Sequence, residues 1–193
     1  YECGLAKPPA DRIRNLIGRS LMQMMQQLAP SAGMGKHEEL VETYAAHYLN
    51  PNNRHMRLFP DVLPTLERLR EAGYWLSVAT GKGRSGLNQA IAQTGTGDFW
   101  LATACASECP SKPAPDMVWR LCDELGVMPS ESIVIGDTAF DLEMAAHAGA
   151  RGIGVTTGAH SRETLQSAPN IGILSCFGEL EGFLQRQGSI EAV

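Results

Sequence analysis

The sequence predicts an α/β fold, in which a parallel sheet is covered by helices on both faces and preceded by a small all-helical region. Three observations predict it. From about residue 58 onward, short β-branched or apolar runs alternate with amphipathic stretches that stop at glycines. Residues 1 to about 57 show helical spacing only. Loops rich in Gly, Ser, Thr and Asp follow the strands, and the carboxyl ends of strands are where open parallel sheets bind ligands.

In the helical region, Ile13, Leu16, Ile17, Leu21, Met24, Met25 and Leu28 follow the three-and-four spacing of one buried stripe. Gly18 interrupts the stripe and Ser20 can cap a restart. A second helix spans His37 to Tyr48, with Pro51, Asn52 and Asn53 ending it. The methionines Met22, Met24, Met25 and Met34 read as core filling. Beyond Phe59-Pro60, Asp61 can cap a helix carrying Leu63, Leu66 and Leu69 that stops at Gly73. A strand follows at Trp75 to Ala79, then the loop Thr80 to Gly86 and a helix with Leu87, Ala90 and Ile91. Next come a strand at Phe99 to Ala104, a polar loop from Ser107 to Pro115, and a helix from Asp116 that buries Val118, Leu121, Cys122 and Leu125. Ser132 to Ile135 is a short buried strand, and an Ala-rich helix runs from it to Gly149. A strand at Gly152 to Thr156, a helix near Arg162 to Ser167, a strand at Ile171 to Leu174 and a helix from Phe177 to Gln187 complete the alternation.

At 193 residues, 44% of them hydrophobic and 19% charged, the chain can bury a core in one domain or in a domain plus a small insertion. A net charge of -5 argues against a nucleic-acid backbone or an anionic membrane as partner, so any phosphate must be met by local groups. No apolar run is long enough to span a bilayer, and no signal peptide is read. Five cysteines, Cys3, Cys105, Cys109, Cys122 and Cys176, form no disulfide framework and imply reduced thiols in a cytosolic protein. Cys105 and Cys109 lack the further ligands of a zinc site. The five histidines form no cluster.

Three loops carry the chemistry. Thr80 and Gly81 end a strand and offer a hydroxyl and backbone N–H groups to a small anion. Lys112, in Ser111-Lys112-Pro113, can neutralise a phosphate and a neighbouring carboxylate. Asp137 and Asp141 present carboxylates suited to a hard cation such as Mg²⁺. Each also has a plain structural reading: Thr80 as a helix cap, Lys112 as a surface lysine, and Thr138 with Asp141 as a capping box beside a solvated Asp137. Together they describe a site for a small phosphorylated metabolite and Mg²⁺.

The order and spacing of these loops resemble the haloacid dehalogenase superfamily. Thr80 matches its second motif, Lys112 its third, and Gly136-Asp137-Thr138-Ala139-Phe140-Asp141 its fourth, G-D-x-x-x-D. The wording of Leu58-Phe59-Pro60-Asp61-Val62 and Ala79-Thr80-Gly81-Lys82 is similar to the phosphoglycolate phosphatase branch. The resemblance implies a Rossmann-like core over residues 58–193 and a partial helical cap over residues 1–57. It further implies that Thr80 and Gly81 hold the phosphoryl oxygens and that Lys112 binds phosphate and stabilises the nucleophile. Asp137 would ligate Mg²⁺, and Asp141 would act through water or as the partner of Lys112. Catalytic work would fall to Lys112, Thr80 and Asp137, with an aspartate attacking a phosphate monoester to form an aspartyl-phosphate. Lys82 and Arg84, beside Thr80, could meet a second anionic group such as a substrate carboxylate.

The first motif of that family, D-x-D-G-T/S, which carries the nucleophile, has no match in this sequence. The resemblance places its strand centrally, between Trp75–Ala79 and Ser132–Ile135. The cap and first core strand are therefore expected to be incomplete at the amino-terminal side, residues 1–193 alone are expected to be inactive, and either a preceding segment or another element should fill the slot. Two further readings stand beside the phosphatase. One is a Mg²⁺- or phosphate-binding regulatory module without a nucleophile. The other is a dinucleotide-binding enzyme using the G-x-G-x-x-G of Gly81 to Gly86.

Overall fold

The computed structural model describes residues 3–50 and 56–188. In the amino-terminal region α1 (Ala10–Arg14), α2 (Leu21–Leu28) and α3 (Met34–Leu49) are all helical. The expected break includes Gly18, whose φ of 105° only glycine adopts without strain, but it opens earlier, since α1 ends at Arg14 and leaves Leu16 and Ile17 outside the helices. Ser20 Oγ then accepts from the Gln23 N–H at 3.3 Å and caps α2, as its position suggested. Burial differs from the sequence reading. Of the described residues in this region only Leu16 and His37 are buried, while Ile17 is 42% exposed and Met34 58%. Met22, Met24 and Met25 are half-buried, so the methionines do not fill a core. The reason is thickness: α2 packs on α3, but three short helices cannot wrap a stripe on every side. The expected stop at Pro51, Asn52 and Asn53 lies outside the described residues.

The remaining chain alternates α4 (Val62–Glu71), β1 (Ser77–Thr80), α5 (Arg84–Thr94), β2 (Ala102–Cys105), α6 (Asp116–Leu125), β3 (Ile133–Gly136), α7 (Ala139–Ala148), β4 (Arg151–Val155), α8 (Arg162–Gln166), β5 (Gly172–Leu174) and α9 (Leu180–Arg186). Most strands start a residue or more later than expected, since apolarity alone does not locate the first ladder bond. Trp75 stays outside β1 and is 57% exposed, and Gly97–Phe99 is a 3₁₀ turn ahead of β2. A 3₁₀ turn over Phe177–Glu179 likewise precedes α9. Asp61 does not cap α4. Its backbone is αR (φ -85°, ψ -9°) rather than the extended form a cap needs, and its Oδ2 accepts from the Gly178 N–H at 2.6 Å.

Every described strand pair is parallel, in two groups of order β1-β2 and β3-β4-β5. Among the described residues β1 does not pair with β3. Side-chain packing bridges the division instead. On one face Met117, Val118 and Leu121 of α6 share a cluster with Ala102, Ala104, Met144, Ala79 and Val134, α6 lying on β1 and β2 and packing against α7, which covers β3 and β4. On the other face Leu69 of α4 and Leu180 and Leu184 of α9 pack with Leu76, Ile133, Ile135 and Ile153. Among the described residues no helix is long and apolar enough to cross a membrane, and all five cysteines are free thiols.

Candidate functional site

The carboxyl ends of β1 and β3 carry the predicted loops, because parallel strands of one sense deliver all their following loops to the same edge. Lys112 joins them. Its Nζ donates to the Ala79 carbonyl at 2.9 Å, next to Thr80, and to Asp141 Oδ1 at 2.5 Å, in the first turn of α7. Lys112 is 6% exposed and Asp141 5%, so this is a buried ion pair rather than a surface contact. The other oxygen of Asp141 accepts from both the N–H (3.1 Å) and the hydroxyl (2.7 Å) of Thr138, which is fully buried. Capping and pairing with lysine are therefore not alternatives, since one carboxylate does both. Gly136 permits the arrangement, for a Cβ there would lie 2.2 Å from the Asp141 Cβ.

Asp137 is the carboxylate left for a cation. The Ala159 N–H donates to its Oδ2 at 2.8 Å, and among the described residues nothing donates to Oδ1. Gly158 closes over it so tightly that a Cβ would sit 1.9 Å from Oδ2. Among the described residues no group of three or more His, Cys, Asp or Glu side chains forms a metal cage. A single carboxylate still fits Mg²⁺, which commonly takes one or two carboxylates and completes its shell with substrate phosphate and water.

Thr80 Oγ1 accepts from the Lys82 N–H at 3.2 Å, which leaves its own hydrogen available. Lys82 Nζ donates to Tyr48 Oη at 2.7 Å and lies 4.6 Å from that ring's centroid, tying α3 to the loop after β1. Arg84 is bound in a different way. Its guanidinium donates to both oxygens of Glu108 at 2.6 and 2.7 Å and to the Thr103 hydroxyl and carbonyl, with Arg120 also on Glu108 at 3.1 Å. The hydrogen bonds from Arg84 pull the Glu108 pKa down to about 2. The G-x-G-x-x-G loop is similarly occupied. Carbonyls of Arg19 and Gly18 would meet a Cβ at Gly81 at 2.6 and 2.9 Å, Tyr48 packs at Gly86, and α5 already begins at Arg84. The turn between α1 and α2 and Tyr48 thus already pack on glycines that a dinucleotide-binding loop would keep open to its ligand.

Sequence reasoning missed the turn between α1 and α2. Gly18 lies against Thr138, with a Cβ there only 2.7 Å from Oγ1, and the Ser20 N–H donates to Ser111 Oγ at 2.7 Å. The Arg19 guanidinium lies 4.2 Å above the centre of the Phe140 ring, and its buried Nε has no partner among the described residues. One turn thus touches the Gly81, Ser111 and Thr138 loops. The Gly18 interruption was legible as a helix break, but nothing local in the sequence said what it packs against. His160 was missed for the same reason. Its N–H donates to the Asp137 carbonyl at 3.2 Å and its Nδ1 accepts from the Ala139 N–H at 3.1 Å.

Comparison with known proteins agrees with the fold. Residues 1–155 match the model of the haloacid dehalogenase-like hydrolase family. The chain is 29% identical over 144 residues to a phosphoglycolate phosphatase of Mannheimia succiniciproducens, covering 74% of this chain and 64% of that protein. It is also 29% identical over 133 residues to the pyrophosphatase PpaX of Bacillus velezensis, covering 68% of this chain and 62% of that protein. The chain thus spans a little under two thirds of these relatives. A solved haloacid dehalogenase-like hydrolase of Bacteroides fragilis superposes with a TM-score of 0.85 at 27% identity, covering 93% of this chain and 86% of that one. With most of its length inside the family model and its fold shared with a solved relative, the chain belongs to the haloacid dehalogenase-like hydrolases.

Proposed function

We propose that the chain is the phosphate-gripping body of a Mg²⁺-dependent phosphatase for small phosphate monoesters of the phosphoglycolate kind. The observation that carries the reading is the buried Lys112 ammonium, held between the Ala79 carbonyl beside Thr80 and the Asp141 carboxylate in the first turn of α7, the helix that follows Asp137. In this reading the Thr80 hydroxyl and the Gly81 N–H bind phosphoryl oxygens. Lys112 neutralises the bound group, and Asp141 keeps that ammonium aimed. Asp137 holds Mg²⁺, which when bound supplies positive charge to the phosphoryl oxygens. Lys82, drawn from Tyr48, meets a substrate carboxylate, while the donors of Arg84 are engaged by Glu108 and Thr103. The relatives named phosphoglycolate phosphatase and pyrophosphatase support this substrate range, and free thiols suit a cytosolic setting.

The sequence contains no D-x-D-G-T/S, and the pairing edges of β1 and β3 that would face such a strand are unpaired with each other. That favours a second reading, in which residues 1–193 bind Mg²⁺ and phosphate without turning substrate over. Thermal unfolding tests the shared part. Mg²⁺ and inorganic phosphate together should raise the midpoint of residues 1–193, K112A and D137N should abolish the rise, and NADH should do nothing. No rise in the wild-type chain would overturn the proposal. Phosphate release from phosphoglycolate separates the two readings: none is expected from residues 1–193, and turnover is expected once a D-x-D-G-T/S strand is fused ahead of them.

A further inference from the structure

We propose that His160 is the positioning residue for the Asp137 carboxylate, acting through the loop that follows β4; the inference rests on Asp137 being the Mg²⁺ ligand of the reading above. The loop folds back on the end of β3 by three hydrogen bonds, two from its backbone to Asp137 and one accepted by the His160 ring. The Ala159 N–H donates to Asp137 Oδ2 at 2.8 Å, and the His160 N–H to the Asp137 carbonyl at 3.2 Å. His160 Nδ1 accepts from the Ala139 N–H at 3.1 Å. Nδ1 acts as the acceptor in this contact, which places the ring hydrogen on Nε2, buried without a partner among the described residues. The ring meets the Phe140 edge at 5.4 Å and an interplanar angle of 68°, which fixes its orientation.

His160 therefore ties two points of the G-D-x-x-x-D turn, one through its ring and one through its backbone. It holds Ala139 on the far side of Asp137, while its own backbone and that of Ala159 hold Asp137 itself. Ala139 N–H belongs to the first turn of α7, where helix donors lack intrahelical partners, so the ring satisfies a group that would otherwise be left bare. Gly158 shows how closely the loop must seat, because any side chain there would overlap the carboxylate. Without the ring the loop loses its tie to α7, and the Ala159 N–H no longer aims one carboxylate oxygen. Groups of this kind behind a metal ligand are worth about 10- to 100-fold in metal affinity.

The test compares residues 1–193 with H160A, H160N and D137N. The side-chain amide oxygen that H160N introduces would take the place of Nδ1 as acceptor, so this variant should rescue. Two readouts are used: amide hydrogen exchange at Ala139 and Ala159 in the metal-free protein, and calorimetric titration with Mg²⁺ in the presence of inorganic phosphate. H160A should exchange faster at both amides and bind Mg²⁺ about tenfold more weakly, with H160N within about threefold of wild type. Unchanged exchange in H160A overturns the positioning role whatever the metal does, and so does faster exchange with unchanged Mg²⁺ affinity. If D137N binds Mg²⁺ as wild type does, the ligand assignment itself fails, and the role built on it falls too.

Discussion

Lys112 Nζ and Asp141 Oδ1 lie 2.5 Å apart with both side chains 7% exposed, joining a loop of the β1-β2 half to the first turn of the helix that leaves β3. An isolated buried charge is costly, and each partner here offsets part of that cost for the other. The pair also adds a polar link between two strand groups otherwise bridged by helix packing.

Truncating one member should therefore be severe. D141A leaves the lysine uncompensated and strips Thr138 of its acceptor, so a loss of about 3 kcal/mol is expected from urea unfolding. The double variant K112M/D141A, with no stranded charge, should recover part of that loss. A D141A loss below about 1 kcal/mol, typical of an exposed pair, would show that the pair is not buried in solution.

Glu108 makes acid stability measurable at one site. Hydrogen bonds from Arg84 lower its pKa from the ordinary 4.5 to about 2. A depressed folded value means its contribution is present above the unfolded value and is lost as pH falls from about 4.5 toward 2. E108Q should accordingly show a smaller difference in unfolding midpoint between pH 6 and pH 3 than wild type. Equal differences in the two proteins would refute the assignment.

Gly18 combines a φ of 105° with contact against Thr138. G18A should cost about 1–2 kcal/mol from backbone conformation alone. It should also loosen the docking of α1 and α2, seen as faster proteolysis between them. Unchanged stability and cleavage would mean that the turn is not seated as described.

Lys82 gives a kinetic prediction in the protein that carries a D-x-D-G-T/S strand. K82A should raise KM for phosphoglycolate more than for a neutral phosphomonoester, since only the former presents a carboxylate. Y48F, which removes the Lys82 acceptor but keeps the ring, should leave that discrimination in place. Equal KM effects on both substrates would remove Lys82 from substrate selection.

Gly158 tests the seat of Asp137 without touching a charge. G158A adds a methyl group whose carbon would fall 1.9 Å from Asp137 Oδ2, so the carboxylate must move. Calorimetry with Mg²⁺ and phosphate should show weaker binding by about tenfold or more. Binding equal to wild type would mean that the carboxylate is free to shift at no cost.

Much of this molecule was legible in its residues. Local pattern by itself determined the helical region and the strand-helix alternation, because apolar spacing, capping residues and Gly stops act over a few neighbours: Ser20 caps α2, and Gly73, Gly126 and Gly149 lie just past their helices. It also singled out Thr80, Lys112, Asp137 and Asp141 as candidates, since chemistry-bearing groups cluster after strands. Only the tertiary structure decided which groups those side chains meet. Ser20 to Ser111 is a contact across 91 residues, Asp61 to Gly178 one across 117, and Arg84 with Glu108 and Thr103 depends on how β1 and β2 lie together. Hydrogen bonds and packing act over a few ångströms in space with no regard to separation along the chain, so a one-dimensional pattern names the groups but not their partners.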